Sequence, residues 1–229
     1  PMWPKWLPLY FALKKRAEEH RPDVIICGKA LVEGRIAKLL KRSLGIPFVV
    51  CTYGMEIATW NSNAKTRMQL RSVLHHANTV FYINKKTKQE LLDLGAQEKN
   101  LHTLYPGINT TQLLHMNNPE EVLKKYTITK PYVLSVSRLV KRKGTNDLID
   151  AFANLKREDL QLIIAGDGPE LKRLKKQAKK LGIDAVFLGK ISDDDLHALY
   201  SKATLFALTP KELPGDYEGF GIVYLEAGF

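Results

Sequence analysis

The sequence predicts an α/β protein whose parallel sheets are covered by helices on both faces. Two observations support this fold class. Eight short apolar runs alternate with stretches of helical periodicity, and near-continuous apolar strands that alternate with helices are typical of buried parallel sheets. In addition, 45% of the 229 residues are hydrophobic and 26% are charged, which is the composition of a folded protein.

The predicted elements alternate in chain order. The strands are 23–28, 47–53, 79–84, 102–107, 132–138, 160–166, 185–189 and 204–210, each rich in β-branched, aromatic or leucine residues. The helices are 31–44, 64–77, 85–95, 119–125, 145–155, 169–181 and 193–201, where apolar positions recur at helical spacing.

The pattern forms two blocks, which predicts two Rossmann-like domains. Residues 106–110 combine turn-forming residue types and make a sensible hinge. We therefore place an N-terminal domain at 1–110 and a C-terminal domain at 111–229. A single continuous doubly wound sheet is the alternative, and a change in charge at the same place favours two domains.

Basic residues are concentrated in the first domain. Residues 1–110 contain 17 Lys and Arg against 8 Asp and Glu, a net charge of +9, whereas residues 111–229 contain 18 against 16, a net charge of +2. This asymmetry predicts an anionic partner for the first half, such as lipid, nucleic acid or a phosphorylated acceptor. We expect no signal peptide, and no apolar run approaches the ~20 residues of a membrane span.

The first twenty residues resemble an interfacial helix, because Trp3, Trp6 and further apolar residues recur next to Lys5 and other basic residues. Attachment to the inner face of the cell membrane would follow. The alternative is an ordinary helix covering the sheet, since Pro4 and Pro8 confine a regular helix to the residues after them.

Three features favour structural roles over metal chemistry. Cys27 and Cys51 each end a predicted strand and belong to no CxxC pair, so we expect buried thiols in a reducing cytoplasm. The acidic run 193–195 follows Ser192 and is expected to form the capped first turn of a helix. His75 and His76 lie in a helical pattern and are expected to be surface or packing residues.

One strand-to-helix turn suits a diphosphate, and the next is rich in glycine. Arg138 and Lys143 flank the loop after strand 132–138, and cations beside free backbone amides at such a turn favour phosphate. A solvated basic loop is the alternative. The next turn contains Gly166 and Gly168, which let a ligand or a neighbouring backbone approach closely.

Two glutamates lie eight residues apart near the end of the sequence. Glu218 precedes a predicted helix and Glu226 lies about two turns further, since a turn takes ~3.6 residues. One carboxylate can bind a group at the start of the helix and the other a group along its flank, with free amides between them. A polyhydroxyl sugar joined through phosphates to a nucleoside needs such acceptors together with cations.

Four motifs, taken in order and spacing, resemble the retaining GT-B glycosyltransferases called group 1 or family 4. The motifs are SRLVKRKG (137–144), GDGP (166–169), the segment 186–210 and EGFGIVYLE (218–226), which matches the family's E-x7-E pattern. Within that family the chain looks most like phosphatidylinositol mannosyltransferases that use GDP-mannose. Members begin with a strand and a glycine-rich loop and continue past the second glutamate, so both domains are expected to be incomplete.

The resemblance implies a role for each matching residue. Arg138 and Lys143 would hold the donor diphosphate and stabilise the charge of the leaving group. Glu218 would bind sugar hydroxyls, Glu226 would bind the ribose, and Lys190 would border the base.

Further implications concern the sugar, the reaction and the partners. Amides of Gly219, Phe220 and Gly221 would line the sugar, and Gly166 and Gly168 would contribute to donor binding. Retention would follow from front-face attack with the phosphate as base, so no carboxylate nucleophile is needed, unlike in retaining glycosidases. No metal or cofactor is expected, and the acceptor would be lipid-linked or polysaccharide.

One position departs from the family pattern. Members often have a histidine before a glycine at the end of an N-domain strand, and the matching residues here are Tyr53 and Gly54. Tyrosine could donate a hydrogen bond to the sugar or acceptor but is no ready acid or base near neutral pH.

Other functions stay open at this stage. A sugar-nucleotide epimerase shares the fold, but the two glutamates and the Arg138–Lys143 pair match the transferase better. A basic module that binds nucleic acid or an anionic surface would explain the charge, but no stacking aromatics interleave with basic residues, and nucleic acid is not an expected partner. The intact motif residues argue against an inactive homologue.

Overall fold

The structure is a computed structural model that describes residues 6–213 and 216–229. It divides into two compact units, residues 1–106 and 107–229. The division falls a few residues before the expected boundary after residue 110. Trp3, Pro4 and Lys5, which contribute to the predicted interfacial helix, lie outside the described residues.

The first unit is a four-stranded parallel sheet in the order β1-β2-β3-β4. Its strands are β1 (Ile25–Cys27), β2 (Phe48–Cys51), β3 (Thr79–Tyr82) and β4 (Leu101–Thr103). Its helices are α1 (Leu7–His20), α2 (Val32–Leu44), α3 (Met55–Asn61), α4 (Ala64–His76) and α5 (Lys85–Asp93).

The second unit is a four-stranded parallel sheet in the order β7-β6-β5-β8. Its strands are β5 (Tyr132–Val136), β6 (Gln161–Ala165), β7 (Ala185–Gly189) and β8 (Leu205–Phe206). Its helices are α6 (Thr110–Leu113), α7 (Pro119–Lys125), α8 (Thr145–Leu155), α9 (Leu171–Leu181), α10 (Asp193–Lys202) and α11 (Val223–Gly228). The predicted fold class is therefore confirmed.

The order of strands in the second unit locates a crevice. The chain passes from β5 outward to β6 and β7 and then returns to place β8 on the other side of β5. Ligands of open parallel sheets bind at the carboxyl ends of the strands where the order reverses. The loops that follow β5 and β8 are therefore the expected place for a site.

Apolar packing on both faces of β5 fixes this crevice. Val133 packs with α8 and β6 on one face, and Leu134 packs with α10 on the other. Each fully buried side chain of this size stabilises the fold by about 1.5–3 kcal/mol. The Tyr132 hydroxyl donates a 2.7 Å hydrogen bond to the Leu199 carbonyl, which fastens β5 to α10.

The sequence prediction was wrong about the lengths of several strands and missed short helices; strand 102–107, for example, ends at Thr103. Strand 204–210 ends at Phe206 because the chain then turns over the start of α8, where the Thr209 hydroxyl donates to the Gly144 carbonyl at 2.8 Å. The sequence pattern also missed α3, a short helix that begins directly after Gly54.

The helix α1 packs on the first unit with one side only. Ala17 is buried, and the Arg35 guanidinium of α2 lies 4.3 Å from the centre of the Trp6 ring. Leu9, Phe11 and other apolar side chains of α1 remain exposed. Contact of α1 with a membrane stays a prediction.

Candidate functional site

Four of the predicted site residues line one pocket at the crevice of the second unit. The pocket has a volume of about 500 Å³, and Arg138, Lys143, Gly166 and Lys190 contribute to its walls. It lies at the carboxyl ends of β5, β6 and β7, and Val223 of α11 closes another side. Residues far apart in the sequence are therefore brought together where the strand order predicts a ligand.

The loop after β5 depends on close backbone contact. Lys141–Lys143 forms one turn of 3₁₀ helix that ends at Gly144, with φ of 64°. A Cβ atom at Gly144 would lie 1.8 Å from the Thr209 carbonyl oxygen. Only glycine permits this approach, which joins the loops after β5 and β8.

The glycines of the turn after β6 also allow close approach of neighbouring backbone. A Cβ atom at Gly166 would lie 1.9 Å from the Ser137 carbonyl oxygen, and one at Gly168 would lie 2.3 Å from that of Leu139. Gly166 also lines the pocket, whereas Gly168 is not among the residues of its wall. The structure gives both glycines a packing role, which the sequence left open beside donor binding.

The first glutamate of the motif is paired with two cations. Lys143 Nζ and Arg142 Nη1 both donate to Glu218 Oε2, at 2.6 Å and 2.7 Å. The three side chains are only 13–20% exposed. Hydrogen bonds between ionised partners are among the strongest in proteins, so this triad fixes Glu218 next to Lys143, which lines the pocket.

The cations also set the charge of Glu218. Burial alone would raise its pKa, but the hydrogen bonds and charges of Lys143 and Arg142 outweigh burial and lower the pKa below its usual value. Glu218 is therefore a carboxylate at neutral pH. Sequence reasoning missed Arg142, and the signal for it was the unbroken basic run 141–143.

Two predicted pocket cations have no such partner. Arg138 and Lys190 are exposed, and no ion pair joins either of them to another residue in the part of the chain that the structure describes. The pocket thus offers two free cationic side chains to an anion, beside a lysine that is already engaged.

The second glutamate lines a smaller neighbouring pocket of about 250 Å³. The Tyr200 hydroxyl donates to Glu226 Oε2 at 3.1 Å, and burial, followed by the Glu226 charge, raises the pKa of Tyr200. Asn109 and His197 add polar atoms to this pocket, and Leu196 lines both pockets. Glu226 therefore lines the smaller pocket, whereas Glu218 is not part of the wall of either pocket and is joined to the larger one through Lys143.

The turn between the glutamates is tightly built. Gly221 has φ of 76°, and a Cβ atom there would lie 2.8 Å from the Tyr224 ring. Gly219 and Phe220 are partly buried in the same turn, directly after Glu218.

The predicted contact in the first unit lies at the end of β2. The Tyr53 side chain is 50% exposed, and its backbone amide donates to Glu56 Oε1 at 2.6 Å. Burial, followed by the charges of Cys51 and Glu56, raises the pKa of Tyr53, so it is a phenol at neutral pH. Gly54 adopts φ of 97° and begins α3.

The acidic run at the start of α10 is structural, as predicted. The Ser192 hydroxyl accepts from the Asp195 amide. Asp195 is 1% exposed and accepts hydrogen bonds from Asn117, Lys125 and Tyr126, each at 2.7 Å. Within residues 6–213 and 216–229, no three His, Cys, Asp or Glu side chains are grouped as metal ligands.

Comparison with known proteins assigns the two halves of the chain. Residues 1–112 match the family described as Glycosyltransferase Family 4, and residues 118–228 match the family described as Glycosyl transferases group 1. No helix in the described ranges is both long and apolar enough to cross a membrane.

Several of the curated relatives are described as mannosyltransferases. A GDP-mannose-dependent α-(1-6)-phosphatidylinositol monomannoside mannosyltransferase of Mycolicibacterium smegmatis is 31% identical over 224 residues. The protein of the same description from Mycobacterium tuberculosis is 28% identical over 228 residues. These matches cover 94% of this chain but 58% of each relative, so the chain spans little more than half of their length.

Solved structures confirm the fold. The crystal structure of Anabaena HepE in complex with UDP superposes with a TM-score of 0.78 at 21% identity. The match covers 96% of this chain and 60% of that one.

Proposed function

Because the chain belongs to the GT-B glycosyltransferases, with a family 4 domain followed by a group 1 domain, we propose that it transfers a hexosyl group from a nucleotide-sugar donor to an acceptor hydroxyl. Mannose from GDP-mannose is the proposed donor sugar, since the two mycobacterial relatives are described as GDP-mannose-dependent. One observation carries the proposal: Arg138, Lys190 and the Lys143–Glu218 ion pair lie at one pocket at the switch point of the sheet, and Glu226 lines the pocket next to it.

Each side chain has a proposed role in donor binding. Arg138 and Lys143 bind the diphosphate and stabilise the charge that develops on it as the sugar leaves. Glu218 accepts hydrogen bonds from sugar hydroxyls, and Glu226 accepts them from the ribose. Lys190, exposed at the rim, borders the base.

The proposed turn contacts complete the sugar site. Amides of Gly219, Phe220 and Gly221 line the sugar, because the tight turn presents backbone next to Glu218. Gly166 lets the donor approach the backbone at the end of β6.

The proposed reaction retains the configuration of the sugar. The acceptor oxygen attacks the anomeric carbon on the face from which the diphosphate departs. The bond from that carbon to the phosphate oxygen breaks, and the acceptor proton passes to the departing phosphate. This route needs neither a carboxylate nucleophile nor a bound metal.

The proposed acceptor is lipid-linked, of the phosphatidylinositol type named for the relatives, or a polysaccharide. The net charge of +9 in residues 1–110 supports an acceptor at an anionic surface. Tyr53, half exposed at the end of β2, is proposed to contact the sugar or the acceptor.

Calorimetric titration of this chain with GDP-mannose, GDP, UDP and ADP tests donor binding. We expect binding without added metal and selectivity for the guanine nucleotides. Addition of EDTA or Mg²⁺ should leave the affinity unchanged. Equal affinity for all bases would contradict the proposed donor, and failure to bind any nucleotide would contradict the proposed function of the pocket in this chain.

A matched pair of variants distinguishes the loss of a contact in the pocket from the loss of net positive charge. Lys143→Ala should weaken nucleotide-diphosphate binding by roughly 1–3 kcal/mol, the scale of a charge-assisted hydrogen bond. Lys141→Ala removes the same charge from an exposed position in the same turn that is not part of the pocket wall, and should have little effect. Equal losses for both variants would mean that only net charge matters.

A further inference from the structure

Arg142 makes several contacts beside the pocket but does not line it. Its Nη1 donates to Glu218 Oε2 at 2.7 Å, and its Nε forms a 2.8 Å ion pair with Asp216 Oδ1. Its backbone carbonyl accepts a 2.6 Å hydrogen bond from the Lys211 amide. Arg142 therefore joins the loop after β5 to the loop after β8 at three points.

Lys143 is held differently. It lines the pocket, and the only side-chain contact that the described residues give its ammonium group is with Glu218. A diphosphate in the pocket would compete with Glu218 for this ammonium group. When Lys143 turns toward the phosphates, Glu218 loses one of its two cations, and Arg142 is the cation that remains.

We propose that Arg142 is a positioning residue that keeps Glu218 in place and ionised while Lys143 engages the donor diphosphate. This inference rests on the proposed function, which assigns the phosphates to Lys143 and the sugar to Glu218. Arginine suits the task because its planar guanidinium can meet two carboxylates at once through separate nitrogens, which a lysine ammonium does less well.

The surroundings of Glu218 explain why one remaining cation is needed. Besides Lys143 and Arg142, the ionisable groups around it include Asp216, which shares the Arg142 guanidinium, and Tyr224 of α11, whose pKa the Glu218 charge helps to raise. Neither supplies positive charge. Without Arg142, a Glu218 carboxylate beside a bound diphosphate would face only negative or neutral groups and would take up a proton.

The test compares nucleotide-sugar affinity at two pH values. GDP-mannose is the probe, with UDP-glucose in parallel, because a diphosphate diester carries no phosphate that titrates near neutral pH. Wild-type affinity should change less than about twofold between about pH 5.5 and pH 8. Arg142→Gln should bind about tenfold more weakly at the higher pH, since loss of a neighbouring cation raises a carboxyl pKa by about 1–3.

Three further variants show which side chain causes the pH dependence of the affinity. Arg142→Lys should recover most of the affinity at the higher pH, because it restores the charge. Arg142→Gln combined with Glu218→Gln should show no pH dependence, because the titrating group is gone. Lys141→Gln, which removes a neighbouring exposed charge, should behave as wild type. A pH-independent Arg142→Gln, or a pH dependence that persists in the double variant, overturns the proposal.

A second measurement needs no nucleotide. Carbon-13 NMR of labelled glutamate carboxyls reports the pKa of Glu218 directly. In Lys143→Met that pKa should stay low, and in Lys143→Met with Arg142→Gln it should rise; equal values in the two proteins overturn the role of Arg142. If the wild-type chain binds no nucleotide, the proposed function fails while this measurement still decides whether Arg142 alone can hold Glu218.

Discussion

Replacement of Asp195 by asparagine tests the network that fixes α10, the helix whose residues line both pockets. Its three 2.7 Å hydrogen bonds, first that of Lys125 and then that of Tyr126, lower the pKa of this carboxyl from 3.8 to about 2. Since one pKa unit corresponds to about 1.4 kcal/mol, the ionised carboxylate stabilises the fold by up to about 2 kcal/mol at neutral pH. Lys125 is 59% exposed, so solvent screening reduces its share.

The expected pH dependence has a definite sign. Because the pKa is lower in the folded protein than in the unfolded chain, the stabilisation is present above about pH 4 and is lost as the pH falls toward about 2. Asp195→Asn should therefore lower the free energy of unfolding by about 1–2 kcal/mol at pH 7, and the difference from wild type should shrink in acid. Urea denaturation followed by circular dichroism measures both effects.

Asp194→Asn is the matched control, because Asp194 is exposed in the same helical turn. This substitution should lower the free energy of unfolding by less than about 1 kcal/mol, which is the size of the interaction between an acidic side chain and a helix N-terminus. Equal destabilisation by the two variants would refute the argument that the buried network, and not the helix dipole, holds α10.

The remaining predictions concern the site glycines, the motif glutamate and the thiols. Gly168→Ala should destabilise the chain by about 1–3 kcal/mol in urea denaturation because its Cβ has no room, whereas Gly107→Ala, with open space around it, should not. Glu218→Gln in a longer form of the protein should abolish sugar transfer in a radiolabel assay while nucleotide affinity stays nearly unchanged; wild-type turnover would exclude its proposed role. Burial, followed by nearby charge, raises the pKa of Cys27 to about 12, so a thiol reagent at neutral pH should modify the partly exposed Cys51 first.

Much of the fold could be predicted because its signals are local. The apolar runs around Val133 and Ile163 are buried on both faces, and such strands stand out from flanking helices by hydrophobicity alone. The lengths of elements were less predictable, because β8 ends where Thr209 meets Gly144, a contact between residues far apart in sequence. The helix α3 was missed because its residues 55–61 include β-branched and aromatic types with no long apolar period.

The site was predictable as a set of residues but not as a set of contacts. Sequence motifs indicated Lys143 for phosphate and Glu218 for sugar, yet the structure pairs these two groups directly at 2.6 Å. The pairing has a physical reason, because a mostly buried cation is stabilised by a nearby carboxylate. Under the proposed function, donor binding exchanges this ion pair for contacts with phosphate and sugar, and the net affinity is the difference between the two. A Glu218→Gln variant, whose amide holds Lys143 less strongly, should thus keep its nucleotide affinity while it loses the carboxylate proposed to bind the sugar.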